Sequence, residues 1–170
     1  AGVVNTFTIS LINGGADIQI TDTTSPITAG NGVTQVDANT VTVPAANVTA
    51  GISINGGDLT DSLDVDFGSG DPTGGLGLTF NGGTPTVNPG DTLSFSNGTF
   101  TTSTYTYDNL NDGNVDLDGT TFNYLGLEPI TSTITAANVI LNYSKAAETI
   151  TVSDAGGGST TVNSTLGEIT

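Results

Sequence analysis

The sequence predicts an all-β protein, and three observations carry that prediction. Its apolar residues are mostly Val, Ile, Leu and Phe in short groups, with Thr, Ser, Asn, Asp and Gly between them. That composition favours strands and turns over helices. The groups alternate apolar with polar, and no stretch keeps a helical period beyond about two turns. The nearest candidate, residues 136–139 with Ala146 and Ala147, is interrupted by Asn142 and Tyr143, so almost no helix is expected. The third observation is that the alternating blocks recur.

The first element of the recurrence is Ile9-Ser10-Leu11-Ile12-Asn13-Gly14-Gly15. It returns as Ile52-Ser53-Ile54-Asn55-Gly56-Gly57, as Leu93-Ser94-Phe95-Ser96-Asn97-Gly98 and, more loosely, as Leu141-Asn142-Tyr143-Ser144. The step from Asn13 to Asn55 and from Asn55 to Asn97 is 42 residues each time. The second element is a strict alternation, ADIQITD from Ala16, SLDVDFGSGD from Ser62, STYTYDNLND from Ser103 and ETITVSD from Glu148. A third and fourth follow in GVTQVDANTVTV from Gly32, GLGLTFNGGTPTV from Gly75 and GNVDLDGTTFNYLGL from Gly113, each an alternating run, a turn signal and a second run. Asn-Gly and Asp-Gly between such runs predict hairpins, because both residues tolerate the positive φ of a primed turn.

Four short strands therefore fill a unit of about 43 residues, within the range of repeat architectures. The units cover 5–48, 49–90, 91–135 and 136–170 of one β-repeat domain. Two architectures suit such a unit. A β-solenoid, like a parallel β-helix, would stack the Ile, Leu and Val of each repeat on those of the last. An antiparallel β-sandwich built from hairpins would bury the same residues between two sheets. The regular repeat favours the solenoid.

Charge narrows the partners. Seventeen acidic residues face a single Lys or Arg, Lys145, for a formal net charge of -16. A phosphate backbone requires a cationic surface, so nucleic acid is excluded, and anionic lipid with it. No apolar run is long enough for a spanning helix, so membrane insertion is not expected. The chain has no Cys, so its stability must come from backbone ladders and apolar stacking. Its start, Ala1-Gly2-Val3-Val4, has neither Met nor a basic leader and reads as processed or as cut from a longer chain, which suggests export.

The stretches DSLDVDFGSGDPTGGLGLTFNGG from Asp61, GNVDLDGTTFNYLGLEPI from Gly113 and AAETITVSDAGGGSTTVNSTLGE from Ala146 resemble the repeat regions of very large surface proteins of planctomycetes and similar environmental bacteria. The similarity spans roughly residues 50–170. It implies an extracellular, β-rich, β-helix-like region with no assigned catalytic activity, and it transfers no functional residue.

Catalysis is restricted by what the chain lacks. Without His or Cys, triads, Cys-His pairs and histidine-based zinc sites are impossible. Carboxylate pairs remain, as in glycosidases. Asp64 with Asp66 and Asp116 with Asp118 each sit two apart on an alternating run, which puts both acids of a pair on one face. A row of acids on an outward face is ordinarily its solvated side. No catalytic residue and no cofactor site is therefore expected, with calcium as the one cofactor left open.

Its candidate ligands are Asp108, Asp112, Asp116 and Asp118, in a turn that superficially follows a calcium loop around Gly113. Leu110 and Gly119 stand where such a loop needs an oxygen and a bidentate Glu. Sequons occur at Asn47, Asn97, Asn142 and Asn163, and the aromatics Tyr105, Tyr107, Phe122, Tyr124 and Tyr143 alternate with polar residues as core residues do.

The expected function is structural: a secreted or cell-surface module of a fibre, filament or stalk that self-associates end to end, with copies of itself or flanking repeats as partners. The alternative is an adhesin-like module binding a glycan or surface, with calcium assisting.

Overall fold

Two mixed β-sheets face each other across one apolar core. The structure is a computed structural model, and it describes residues 2–84, 90–143, 149–156 and 159–164. Strands β1 (Thr6–Ile12), β2 (Asp17–Asp22), β3 (Thr34–Asp37), β4 (Thr40–Pro44), β5 (Ile52–Asp58), β6 (Ser62–Asp66), β7 (Leu78–Thr84) and β8 (Asp91–Ser96) come first. They are followed by β9 (Thr99–Tyr107), β10 (Gly113–Leu117), β11 (Thr120–Leu125), β12 (Leu127–Ser132) and β13 (Thr135–Asn142), then by the hairpin β14 (Ile150–Gly156) and β15 (Ser159–Ser164). Among the described residues the only helical segments are two short 3-10 turns, Asn13–Gly15 and Ala45–Asn47. The all-β expectation is met.

The first sheet has the order β12-β8-β6-β1-β2-β4-β3, and the second β13-β9-β10-β11-β7-β5. In the first, β1, β6, β8 and β12 form a parallel ladder, and β2, β4 and β3 extend it by antiparallel pairing. In the second, β5, β7 and β11 are parallel, β10 is reversed between β11 and β9, and β13 runs parallel to β9. The sheets are therefore mixed rather than purely antiparallel. From β5 to β9 the chain crosses from one sheet to the other at every step.

Alternation places the core. Along β6, Leu63 and Val65 are buried while Ser62, Asp64 and Asp66 face outward, and β8 repeats this with Leu93 and Phe95. The ladder registers stack these residues in rows: Ile9, Val65 and Phe95 in the first sheet, and Ile52, Leu78, Phe122, Val115 and Tyr105 in the second. Phe95 meets Phe122 across the core edge to face, with ring centroids 5.3 Å apart, and Phe67 meets Phe122 at 5.7 Å. Each fully buried ring contributes roughly 1.5–3 kcal/mol of hydrophobic stabilisation, and the edge-to-face contacts add to it.

The hairpin signals divide into two groups. Asn13-Gly14-Gly15 turns β1 into β2, Asp37 to Asn39 turns β3 into β4, and Asp118-Gly119 turns β10 into β11, as expected. Asn81-Gly82-Gly83 does not turn, and this corrects the predicted hairpin: the tripeptide runs inside β7. Asn55-Gly56-Gly57 likewise lies inside β5. Close packing explains both. A Cβ at Gly56 would sit 2.5 Å from Asp61 Oδ2, and one at Gly82 would sit 2.5 Å from Asp91 Oδ2. These glycines admit a neighbouring carboxylate where a turn was expected.

The 42-residue step does not set the pairing. Leu63 lies beside Leu93 in the first sheet, 30 positions on, and Ile52 beside Leu78 in the second, 26 positions on. The three best copies of the Asn-Gly element fall in different settings: after β1 in the first sheet, within β5 in the second, and after β8 in the first.

Candidate functional site

The residues singled out in sequence fall in separate places. Asp64 and Asp66 project from β6 on the outward side of the first sheet, as their spacing implies. Asp64 accepts hydrogen bonds from Ser94 Oγ at 2.5 Å and Ser96 Oγ at 2.8 Å on neighbouring β8, while Asp66 accepts from Gly68 N–H and Asn97 Nδ2. The Asp64 bonds tie β6 to β8, and those of Asp66 hold the loops that follow the two strands.

Three acids of the 108–118 turn accept backbone N–H groups, while Asp108 contributes its own N–H to Asp112 C=O. Asp118 accepts the N–H groups of Thr101 and Thr102, at 2.9 and 2.7 Å. Asp116 accepts from Gly119 N–H and Thr121 Oγ1, and Asp112 from Gly126 N–H and Asn109 Nδ2. Asn109 Oδ1 receives the N–H groups of Asn111 and Asp112, a local turn of the kind Asn forms readily. Among the described residues no group of three or more acids is arranged to hold a metal.

Tyr105, Tyr107, Phe122 and Tyr124 are buried, and Tyr143 stacks on Tyr107 at 5.0 Å. Tyr124 lies over Gly113, where a Cβ would collide with its hydroxyl, so the glycine makes room for the ring. Asn47, Asn97 and Asn142 are exposed; the side chain of Asn163, and Lys145 altogether, lie outside the described residues.

Two features emerge that sequence reading did not pick out. The first is a polar ladder at the entrance to the parallel strands. Asn5 precedes β1, Asp61 precedes β6 and Asp91 opens β8. Asp61 Oδ1 accepts Asn5 N–H at 2.6 Å, and Asp91 Oδ1 accepts Asp61 N–H at 2.7 Å. Asn5 Nδ2 also donates to Asp61 Oδ1 and to Gly56 C=O, both at 3.0 Å. Asp61 is 1% and Asp91 0% exposed. A readable signal existed: Asn5-Thr6-Phe7, Asp61-Ser62-Leu63 and Asp91-Thr92-Leu93 share a pattern, and the last two follow a Gly-Gly pair.

Asp22, at the end of β2, is buried as well, but its surroundings are different. Burial pushes its carboxyl upward, and this is outweighed by N–H donors from Thr6, Thr24 and Ser25 and by Thr24 Oγ1, which together hold it below the ordinary value.

The second feature is the open edges. Among the described residues β3 and β12 end the first sheet, and β5 and β13 end the second, each with a strand neighbour on one side only. Val36 on β3 is 54% exposed, and Val139 and Ile140 on β13 are 60% and 45% exposed. Beside β5 lies a shallow groove of about 480 Å³ in which Ser53, Thr79, Thr121 and Asn123 present hydroxyls and an amide next to Leu76.

No family model, curated protein or solved structure matches the chain. Among the described residues no helix is long and apolar enough to cross a membrane.

Proposed function

We propose that the chain is a non-enzymatic structural module of an extracellular fibre, filament or cell-surface stalk, associating end to end with copies of itself or with flanking repeats of the same protein. The observation that carries this reading is the pair of open edges on each sheet. β13 and β5 run in the same direction, since β5, β7, β11, β9 and β13 are all parallel. The β13 edge of one copy therefore offers the β5 edge of the next the same parallel ladder that β7 makes with β5. Unpaired edge groups and exposed apolar side chains on an edge strand are a template for strand addition. Contact between unlike edges is head to tail and does not close on itself, which yields a filament.

The parallel ladders, joined by crossings between sheets, support a solenoid-like reading of the fold, in keeping with the resemblance to bacterial surface repeats. The acidic surface supports an extracellular setting and opposes lateral clumping while the ends pair. Electron microscopy of the purified chain tests the proposal. Regular fibres of uniform width are expected; monodisperse particles at all concentrations contradict it.

The groove beside β5 favours a second reading, an adhesin-like module that takes a glycan through Ser53, Thr79, Thr121 and Asn123. Binding on a glycan array that is lost on Asn123→Ala, by a chain that stays monomeric, would replace the first reading with this one.

A further inference from the structure

The polar ladder contains a chemical mismatch. At its first rung the residue is an amide, and Asn5 Nδ2 supplies donors to Asp61 Oδ1 and Gly56 C=O. At the next two rungs the residue is an acid. Asp61 Oδ1 and Asp91 Oδ1 are satisfied by backbone N–H groups, whereas Asp61 Oδ2 and Asp91 Oδ2 are buried with no hydrogen-bond partner. Both oxygens lie over a glycine, where a Cβ at Gly56 or Gly82 would come within 2.5 Å of them, and both residues are almost wholly shielded from solvent.

No cation offsets these acids among the described residues. The elements around Asp91 carry Asp61, Asp64 and Asp66 on or beside β6, Asp58 on β5 and Glu128 on β12, and the loop bonded to Gly126 and Leu127 carries Asp112. β7 carries no titratable group. Among the described residues, every charged group that these elements carry thus has the same sign. A buried carboxylate left unpaired in such a place is costly, and it avoids most of that cost by taking up a proton.

We infer that Asp91 enters the folded state carrying a proton, so that the Asp61–Asp91 step of the ladder is a buried proton site that tightens the fold in acidic surroundings and loosens it as the pH rises. The proton gives the third rung the donor that the Asn5 side chain supplies at the first. Burial pushes Asp91 above the ordinary carboxylate value; the bond from Asp61 N–H pulls the other way, and the neighbouring Asp61 charge adds to the push. An acid raised on folding gives stability that is complete below its unfolded value and is lost as the pH rises through its folded value. Asp22 is the internal contrast: held low by donors, it gives stability that is lost as the pH falls.

The test has two arms. Carbon-13 spectra of the carboxyl groups, recorded across a pH series with the Asp91 signal assigned by its absence in Asp91→Asn, read the proton directly. The Asp91 carboxyl should stay protonated after most other carboxyls have ionised; ionisation at or below the ordinary value overturns the inference. The second arm compares melting midpoints across the same series. Asp91→Asn keeps the Oδ1 acceptor and places an amide where the proton sits, so its midpoint at neutral pH should lie above that of the unaltered chain, with the fall toward neutral pH removed. Asp22→Asn should leave that fall in place. An Asp91→Asn variant that melts lower at neutral pH and keeps the full pH slope contradicts the inference, whatever its effect on yield.

Discussion

The middle of the sheets and their end strands are made from the same kinds of residue and meet different fates. In the middle, Phe80, Phe95 and Phe122 are fully buried, and every inward position on β6, β8 and β10 is covered by the opposite sheet. At the ends, all four residues of β3 are exposed, and on β13 Val139 and Ile140, consecutive residues that point to opposite faces, are both open to solvent. Alternation alone therefore does not make a core; a second sheet has to be present above the strand. On β3 and β13 apolar residues stay uncovered among the described residues, whereas Ile54 on β5 and Leu127 on β12 join the core; the uncovered strands are the reason the proposal reads sheet ends as joining surfaces.

Substitutions in the buried middle and at the close backbone approach of Gly57 to Gly83 should have the largest effects. Gly57, Gly83 and Gly126 all have positive φ, at 107°, 98° and 72°. A Cβ at Gly83 would meet Gly57 C=O at 1.9 Å, backbone against backbone. Gly83→Ala should cost on the order of 4 kcal/mol from combined strain and overpacking, and Phe95→Ala about 3–5 kcal/mol through the cavity it leaves. Denaturant unfolding measures both, and a loss below about 1 kcal/mol for Phe95→Ala would show that the middle is not the rigid part.

Asp22→Ala should cost about 2 kcal/mol at neutral pH, since charge-assisted bonds to three N–H groups are lost. That cost should shrink as the pH falls below the ordinary carboxylate value, where the unaltered chain loses the same bonds' advantage. Gly14→Ala tests the contrast within a single sequence signal. Gly14 has φ +68° and nothing within 4 Å of an added Cβ, so only the conformational cost, about 1 kcal/mol, is expected. Smallest of all should be the effect of calcium on melting. The Asp112, Asp116 and Asp118 carboxylates already accept backbone N–H groups, so the midpoint should move little between calcium and chelator; a rise of several degrees would revive the calcium turn.

Much of the middle was legible in the sequence, because burial on β6, β8 and β10 follows a period of two and the flanking turns are punctuated by Asn-Gly or Asp-Gly. What misled was the assumption that Asn-Gly-Gly always means a corner. At Asn13 it does, with φ of 53°, 68° and 90° over three residues. At Asn81 the same letters lie in a strand, because their neighbours include a carboxylate, at Asp91, that only a glycine admits. A local signal states what the backbone tolerates, and long-range packing decides which tolerance is used. The ladder of Asn5, Asp61 and Asp91 was hidden for a similar reason: acids at strand entrances read as solvated, and only the register that stacks β1, β6 and β8 buries them.

The claim that the end strands are joining surfaces is tested most directly by sedimentation velocity over a wide concentration range, on the unaltered chain and on a Val139→Lys/Ile140→Lys variant. Both side chains are exposed, so the variant should keep its unfolding free energy within about 0.5 kcal/mol. The account predicts that the unaltered chain grows into larger species as its concentration rises, more readily when salt screens its net charge of -16, and that the variant stays monomeric throughout. An unaltered chain that remains monomeric at every concentration and salt, or a variant that assembles as well as its parent, would contradict it.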